Sequence, residues 1–314
     1  MRSKSRFADL LKQRHDPIWT GIYRVSFVIN LSFHFYPGTV DDRYLSMKLY
    51  KYWVAEKQRI LMDGEQQEIT CYGGSNLSTD DARIKAREKA EKIQRKIKGE
   101  KHLFDEYEAE IREEILQIID DHSAITRNRY GAQVLNAEEL MILDIDKPRE
   151  SFGLGGLFKK KEAGSDKTRI FDMVRKLATG PKYGGHGFRL YETYQGARVI
   201  VLGKSFDPRN SGTKRMMDEF NCDPLYTRLC IKQGCYRARL TPKPYRMNLP
   251  AYKVRFPRDG DDSEFQQWLE DYETGSRRYS VCKFIEQIGT SYPLADAIRL
   301  HDEITGIDYV QPLA

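Results

Sequence analysis

Cysteine is scarce in this chain: there are five in 314 residues, and no two form a Cys-x-x-Cys pair. An odd number of cysteines in a long chain argues against a disulfide framework, and the missing pair argues against a zinc finger. Cys222, Cys230 and Cys235 lie close together, but their spacing fits no usual zinc pattern. We interpret them as buried thiols.

Long apolar runs are lacking as well. No window approaches the roughly 18 consecutive apolar residues that a membrane span requires. The basic start, Met1 to Arg6, has no apolar core of the kind found in secretion signals. The sequence therefore predicts a cytoplasmic protein with no membrane partner. P-loop, dinucleotide-binding, HExxH and GxSxG motifs are also missing, which argues against the enzyme classes that depend on them.

The composition is that of a folded protein with a heavily solvated surface. Hydrophobic residues make up 40% and charged residues 31%, and the length suggests about two domains. The net charge of +6 is compatible with a nucleotide or nucleic-acid partner. A solvated surface with a slight excess of lysine and arginine, and no such partner, would give the same net charge.

The N-terminal third predicts a small module of strands and one helix. Residues 17–36 are rich in apolar residues and indicate two strands or one long bent strand. Residues 46–71 indicate a hairpin that turns at Asp63-Gly64. Ser78 is a suitable N-cap for a helix that runs to about Lys98, with Gly99 at its end. Basic residues cover most of this helix.

The run from Ile69 to Gly99 weakly resembles WGR domains, with Tyr72-Gly73-Gly74 where that family has Trp-Gly-Arg. The resemblance implies a module tied to nucleic-acid binding. The other interpretation is a sheet-and-helix module whose basic helix face is simply solvated.

The rest of the chain predicts an α+β core that begins near residue 101 and ends in a helical cap. Strands are predicted at 130–136, 139–146, 187–193, 197–202 and 235–240, and a glycine-rich loop at 151–167. Helices are predicted at 104–120, 168–179, 212–220, 264–272, 280–288 and 293–304. The first of these rests on the spacing of Ile111, Ile115, Ile118 and Ile119.

Two acids, Asp144 and Asp146, end the apolar strand at 139–146. Side chains two residues apart on a strand share a face, so the two carboxylates are expected to lie side by side. Like charges this close repel unless a cation or proton lies between them, and Mg²⁺ or Mn²⁺ suits oxygen ligands. Alternatively, the acids cap the following turn or pair with surface lysine and arginine.

The strand at 235–240 carries alternating arginines, Arg237 and Arg239, which share one face. Forked guanidiniums suit phosphate oxygens, and Arg189, Arg198, Arg228 and Lys243 are further candidates for phosphate or nucleic-acid binding. The arginines could equally pair with Asp144 and Asp146 in a structural network.

This order of elements, over about residues 125–250, resembles the catalytic core of the archaeo-eukaryotic primase-polymerase superfamily. Asp144-x-Asp146 matches its first motif; Thr193 to Arg198 stands where its Ser-Gly-x-Gly-x-His motif would be, with Arg198 at the histidine position. Asp223 is a candidate third acid and His186 a possible substitute histidine. The stretches Ile125 to Asp146 and Asp223 to Arg246 also resemble an uncharacterised bacterial family, which implies no function.

The superfamily resemblance implies an RRM-like sheet, bound Mg²⁺ or Mn²⁺ at Asp144 and Asp146, and nucleotidyl transfer with Asp223 as the third catalytic acid. The departures at the second and third motifs leave an alternative open. The chain would then be a non-catalytic protein that binds nucleic acid and has lost the catalytic site.

Overall fold

The structure of the chain is a computed structural model that describes residues 47–62, 65–99, 110–147, 166–258, 262–308 and 310–314. The chain divides into a unit of residues 1–41 and a unit of residues 42–314, and all described residues belong to the second. The strands predicted at 17–36 and most of the loop predicted at 151–167 lie outside the described residues. The predicted domain boundary near residue 100 stays a prediction.

Six helices and ten strands form the described part of the chain. In chain order they are β1 (Tyr52–Met62), β2 (Glu65–Ser75), α1 (Thr79–Ile97), β3 (Glu114–Asp120), β4 (Ser123–Arg127), β5 (Gln133–Ala137), β6 (Ile142–Asp146), α2 (Asp166–Ala178), β7 (Gly187–Thr193), β8 (Gly196–Leu202), α3 (Ser211–Glu219), α4 (Pro224–Gln233), β9 (Tyr236–Arg239), α5 (Ser263–Ser276), β10 (Cys282–Gly289) and α6 (Asp296–Thr305).

The N-terminal module consists of the antiparallel pair β1 and β2, which we call sheet A, and helix α1. The Ser78 hydroxyl caps α1 by accepting a hydrogen bond from the Asp81 backbone N–H. The helix lies close to β2, because a Cβ at Gly73 would come within 1.9 Å of the Ala82 carbonyl oxygen. The buried face of α1 is therefore made of small residues, Ala82, Ala86 and Ala90. The predicted strand pair and helix are confirmed, and the predicted turn residues Asp63 and Gly64 lie outside the described residues.

Sheet B is the four-stranded antiparallel sheet with strand order β10-β7-β8-β6. The unit β6-α2-β7 is a split β-α-β, because β8 lies between the two strands that α2 connects. Helix α2 packs its buried side chains, Ile170, Val174 and Ala178, against the sheet. Strand β6 is an edge strand of sheet B, and it ends in the two aspartates.

Sheet C is antiparallel with strand order β3-β4-β5-β9. Its strand β9 is an edge strand, and it carries Arg237 and Arg239. One hydrophobic core joins the two sheets: Leu143 and Val199 of sheet B and Leu135 and Tyr236 of sheet C belong to the same buried cluster. The acidic edge strand of one sheet and the basic edge strand of the other thus belong to one packed structure.

Two helix predictions are wrong. Residues 114–120 of the region predicted as helix 104–120 form β3, and residues 282–289, which overlap the helix predicted at 280–288, form β10. Both strands contain register shifts, between Ile115 and Gln117 in β3 and between Phe284 and Glu286 in β10. A β-bulge adds a residue and breaks the two-residue alternation that marks a strand in sequence. Helix α4 was not predicted.

The class is mixed α+β, with an N-terminal sheet-and-helix module and C-terminal helices, as the sequence predicted. Within the described ranges, no helix combines the length and the apolar character needed to cross a bilayer. All five cysteines are buried and free, which confirms the interpretation as buried thiols.

Candidate functional site

A pocket of about 660 Å³ is lined mainly by residues of β6, β9 and α4, of the turn between β4 and β5, and of the segment that follows β9. This volume lies within the range that accommodates a nucleotide-sized ligand. Six of the residues predicted to form a site line it: Asp144, Asp146, Arg198, Arg237, Arg239 and Lys243. The fold therefore brings the acidic and basic stretches of the sequence together in one place.

Asp144 and Asp146 enter the pocket from β6, which pairs with β8 in the register Asp144 to Arg198 and Asp146 to Gly196. Glycine is needed at 196, because a Cβ there would lie 2.1 Å from the Ile145 carbonyl oxygen. Desolvation raises the pKa of the Asp146 carboxyl, and the charges of Asp144 and Asp223 raise it further. Neither carboxylate of the pair forms an ion pair with another described residue.

Asp223 lies beside the acid pair, because its backbone N–H donates to the Asp144 carbonyl oxygen at 2.9 Å. Its carboxylate, however, accepts from the Tyr226 N–H at 2.7 Å and so caps the first turn of α4. Pro224 follows at the first helical position, where its missing N–H is harmless. Asp223 adds negative charge to the site, but it does not line the pocket.

Arg239 is a mostly desolvated cation that has no ion-pair partner among the described residues. Desolvation, together with the charges of Arg246 and Arg198, lowers the pKa of Arg239 to about 10. The guanidinium is still charged at neutral pH, but it is held beside two like charges. Its Nε–H has no hydrogen-bond partner in the described structure.

The same pattern extends to three other arginines of the pocket. The buried Nε atoms of Arg198, Arg237 and Arg246 also have no hydrogen-bond partner among the described atoms. Arg237 is neutralised by Glu113 through an ion pair of 2.5 Å, but Arg198 and Arg246 form no ion pair with a described carboxylate. The charge of Asp144 nevertheless acts to raise the pKa values of Arg198 and Arg239, so a structural network of arginines and acids stays an alternative prediction.

Besides Asp223, three predicted residues do not line the pocket. Arg189 forms an ion pair with Asp302 at 2.5 Å, and Arg228 is exposed on α4. His186 directly precedes β7, at the end of sheet B where Gly187 pairs with Leu202. Asp146 pairs with Gly196 at the opposite end of β8, so His186 and Asp146 are separated by the length of that strand. Seven residues of strand span about 20 Å. None of the three is part of the site that we propose.

Three pocket residues, Arg129, Tyr130 and Arg246, were not predicted from the sequence. Arg246 lies with its guanidinium carbon 4.2 Å from the centre of the Tyr194 ring. The guanidinium carbon of Arg129 lies 4.8 Å from the centre of the Tyr130 ring, and Arg129 and Tyr130 both line the pocket. Tyr130 and Tyr194 are 50% and 45% exposed. The basic and aromatic run Lys243 to Arg246 was the one signal in the sequence that pointed to this part of the site.

The donor set fits Mg²⁺ or Mn²⁺ only with help from a ligand. No three His, Cys, Asp or Glu side chains of the described ranges are arranged to hold a metal ion. Mg²⁺, however, is usually bound by one or two carboxylates together with substrate phosphates and water. Asp144 and Asp146, which form no direct ion pair with a described lysine or arginine, match that smaller requirement.

Comparisons with protein-family models, curated proteins and solved structures find no match to this chain. The resemblances to primase-polymerases and to WGR domains therefore stay predictions, and the functional argument rests on the pocket itself.

Proposed function

We propose that this chain binds a nucleotide or nucleic acid through its phosphates in the pocket between β6 and β9. Arg198, Arg239 and Arg246 supply positive charge to the pocket, and none of the three forms a direct ion pair with a described carboxylate. A buried cation without a partner is unfavourable, and an anionic ligand would remove that penalty. Phosphate oxygens also match the forked geometry of guanidinium donors.

The observation that carries the proposal is the environment of Arg239. Its pKa is lowered to about 10 by desolvation and by two neighbouring arginines, and its Nε–H has no partner in the described structure. A purely structural arginine at this depth would be expected to have a carboxylate partner, as Arg237 has in Glu113.

The exposed tyrosines favour a ligand that carries a base over inorganic phosphate alone. Tyr130 lines the pocket, and Tyr194 lies between two lining residues, Thr193 and Gln195. Bases stack on such rings, and alanine substitution of a stacking residue typically costs about 1–3 kcal/mol per base. The combination of unpaired arginines and exposed rings supports a nucleotide or nucleic-acid ligand.

Asp144 and Asp146 would hold Mg²⁺ or Mn²⁺ jointly with the phosphates of the ligand. When bound, such an ion would polarise a phosphoryl oxygen and stabilise the charge that develops in phosphoryl transfer. The protein's own contribution is to place two carboxylates beside three arginines. The carboxylates would bind the metal ion, and the arginines would bind the phosphate oxygens.

The test is the affinity for ATP, measured by calorimetry with and without Mg²⁺. Arg239→Ala is expected to weaken binding about 10- to 100-fold, since a hydrogen bond to a charged group contributes about 1.5–3 kcal/mol. Arg228→Ala is the matched control: it removes an exposed arginine outside the pocket and should bind like the wild type. Equal affinities for both variants would contradict the proposal.

Nucleotidyl transfer is the second candidate, and the adjacency of the acid pair to the unpaired arginines favours it. Wild-type protein with Mn²⁺ is then expected to incorporate labelled nucleotides into a primed or unprimed template, and Asp144→Ala is expected to lose this activity. If instead nucleic-acid binding survives both EDTA and Asp144→Ala, and nothing is incorporated, the chain is a non-catalytic binding protein. Release of free phosphate or nucleotide would indicate hydrolysis.

A further inference from the structure

His301 of α6 is a fully buried histidine that contacts a pocket arginine. Its Nε2 atom lies 3.1 Å from Nη1 of Arg198, and its Nδ1 atom lies 2.9 Å from Oδ1 of Asp302. The imidazole is 0% exposed. His301 itself does not line the pocket, so it reaches the pocket only through Arg198.

The chemistry of the two partners determines the tautomer of this histidine. A guanidinium has only donors, so the Nε2 atom that faces Arg198 must be an acceptor without a proton. The proton therefore resides on Nδ1, which donates to the Asp302 carboxylate. Burial lowers the pKa of His301 to about 4, and the charges of Arg198 and Arg189 act in the same direction. The imidazole is thus neutral at physiological pH.

The charge of Asp302 is matched elsewhere. Its carboxylate accepts from Arg189 at 2.5 Å and from the Tyr191 hydroxyl at 2.7 Å, as well as from His301. Arg189 and Asp302 neutralise each other, and the neutral imidazole separates that ion pair from Arg198.

The hydrogen-bond acceptors of Arg198 are all uncharged, and the charge of Asp144 acts on it without a direct ion pair. Besides His301, its Nη1 donates to the Arg239 carbonyl oxygen at 3.0 Å and to the Cys282 sulfur at 3.4 Å. Uncharged acceptors fix the direction of a guanidinium without cancelling its charge. A carboxylate at the position of His301 would fix the direction equally well but would neutralise the cation.

We propose that His301 is a positioning residue that orients Arg198 toward the phosphates of the ligand while leaving the positive charge of Arg198 available to them. This inference rests on the proposed function of the pocket, since without an anionic ligand there would be nothing for the oriented guanidinium to bind.

Two substitutions at 301 separate positioning from simple core packing. His301→Leu fills the space but removes the acceptor, and His301→Gln keeps an amide oxygen near the position of Nε2. ATP binding is expected to weaken about tenfold in His301→Leu, because one hydrogen bond to a charged group is lost. His301→Gln is expected to stay within about threefold of the wild type, because it retains that acceptor. His186→Leu is the matched control, because it removes a histidine at the far end of sheet B.

A second readout does not depend on the variants folding. Nitrogen-15 NMR of histidine side chains in the wild-type full chain should show His301 as the neutral tautomer with its proton on Nδ1 at pH 7. An imidazolium, or a proton on Nε2, would overturn the inference, as would a folded His301→Leu variant that binds ATP as tightly as the wild type.

If Arg239→Ala loses ATP binding while His301→Leu keeps it, only the role of His301 fails. If neither substitution weakens binding, the proposed function fails too.

Discussion

At the scale of single residues, the acids and the bases of the pocket are each held beside charges of their own sign. Arg198 and Arg239 form no direct ion pair with a described carboxylate, and the charges of Asp144 and Asp223 raise the pKa of Asp146. Each set is unfavourable alone, and each would be relieved by an opposite charge brought in by a ligand. A phosphate with its metal ion supplies both charges at once.

Asp146 gives a pH-dependent prediction. Because the pKa of Asp146 is raised in the folded protein, its protonated form favours folding at pH values below the pKa of the unfolded chain. This contribution to the free energy of unfolding is lost as the pH rises through the pKa of the folded protein. Asp146→Asn is therefore expected to raise the melting temperature at pH 7 and to leave it unchanged near pH 3, where both proteins are uncharged at this position. Thermal denaturation at the two pH values checks this.

Asp271→Asn on the exposed face of α5 serves as the control for Asp146→Asn, since it removes a carboxylate remote in sequence from the acid pair. A lower melting temperature for Asp146→Asn at pH 7 would mean that the carboxylate stabilises the fold. In that case Asp146 would belong to a structural network instead of a ligand site.

At the scale of elements, the turn between β4 and β5 presents Arg129 and Tyr130 to the pocket. The Asn128 side chain accepts from the N–H groups of Tyr130 and Ala132, and Gly131 has a φ of +82°. A Cβ at Gly131 would lie 2.3 Å from the Trp268 ring. The turn is thus supported from behind by α5.

Gly131→Ala is expected to destabilise the protein by about 2–4 kcal/mol, because it combines a left-handed backbone with a steric clash against Trp268. Chemical denaturation measures this. Gly275→Ala is the control: a Cβ there meets nothing within 4 Å, and alanine favours a helix. A stability of Gly131→Ala equal to that of Gly275→Ala would show that the turn is free to move away from α5.

Local patterns in the sequence predicted most regular elements, with α4 as an exception, but not the bulged strands β3 and β10. The hairpin β7-β8, helix α1 with its Ser78 cap and the strand that ends in Asp144 and Asp146 follow from alternation, capping and turn residues. Strands β3 and β10 were predicted as helices because their bulges remove the alternation.

For the site, the sequence indicated which residues carry charge. It could not indicate that Glu113 neutralises Arg237 or that His301 contacts Arg198, since both depend on contacts between residues far apart in the chain.

At the scale of the whole molecule, the net charge of +6 says little about the ligand. What matters is where cations lack partners, and in the described structure several of them surround one pocket. The fold achieves this by ending an acidic strand of sheet B and a basic strand of sheet C beside the same space.

Arg198 has a consequence for how the protein responds to its ligand. Its backbone belongs to β8 of sheet B, whereas its side chain donates to a carbonyl of β9 in sheet C and to His301 of α6. A ligand that immobilises this one guanidinium would therefore oppose the local opening of three elements together. Amide protons along β8, β9 and α6 should exchange with solvent more slowly in the complex, including those that the ligand never touches.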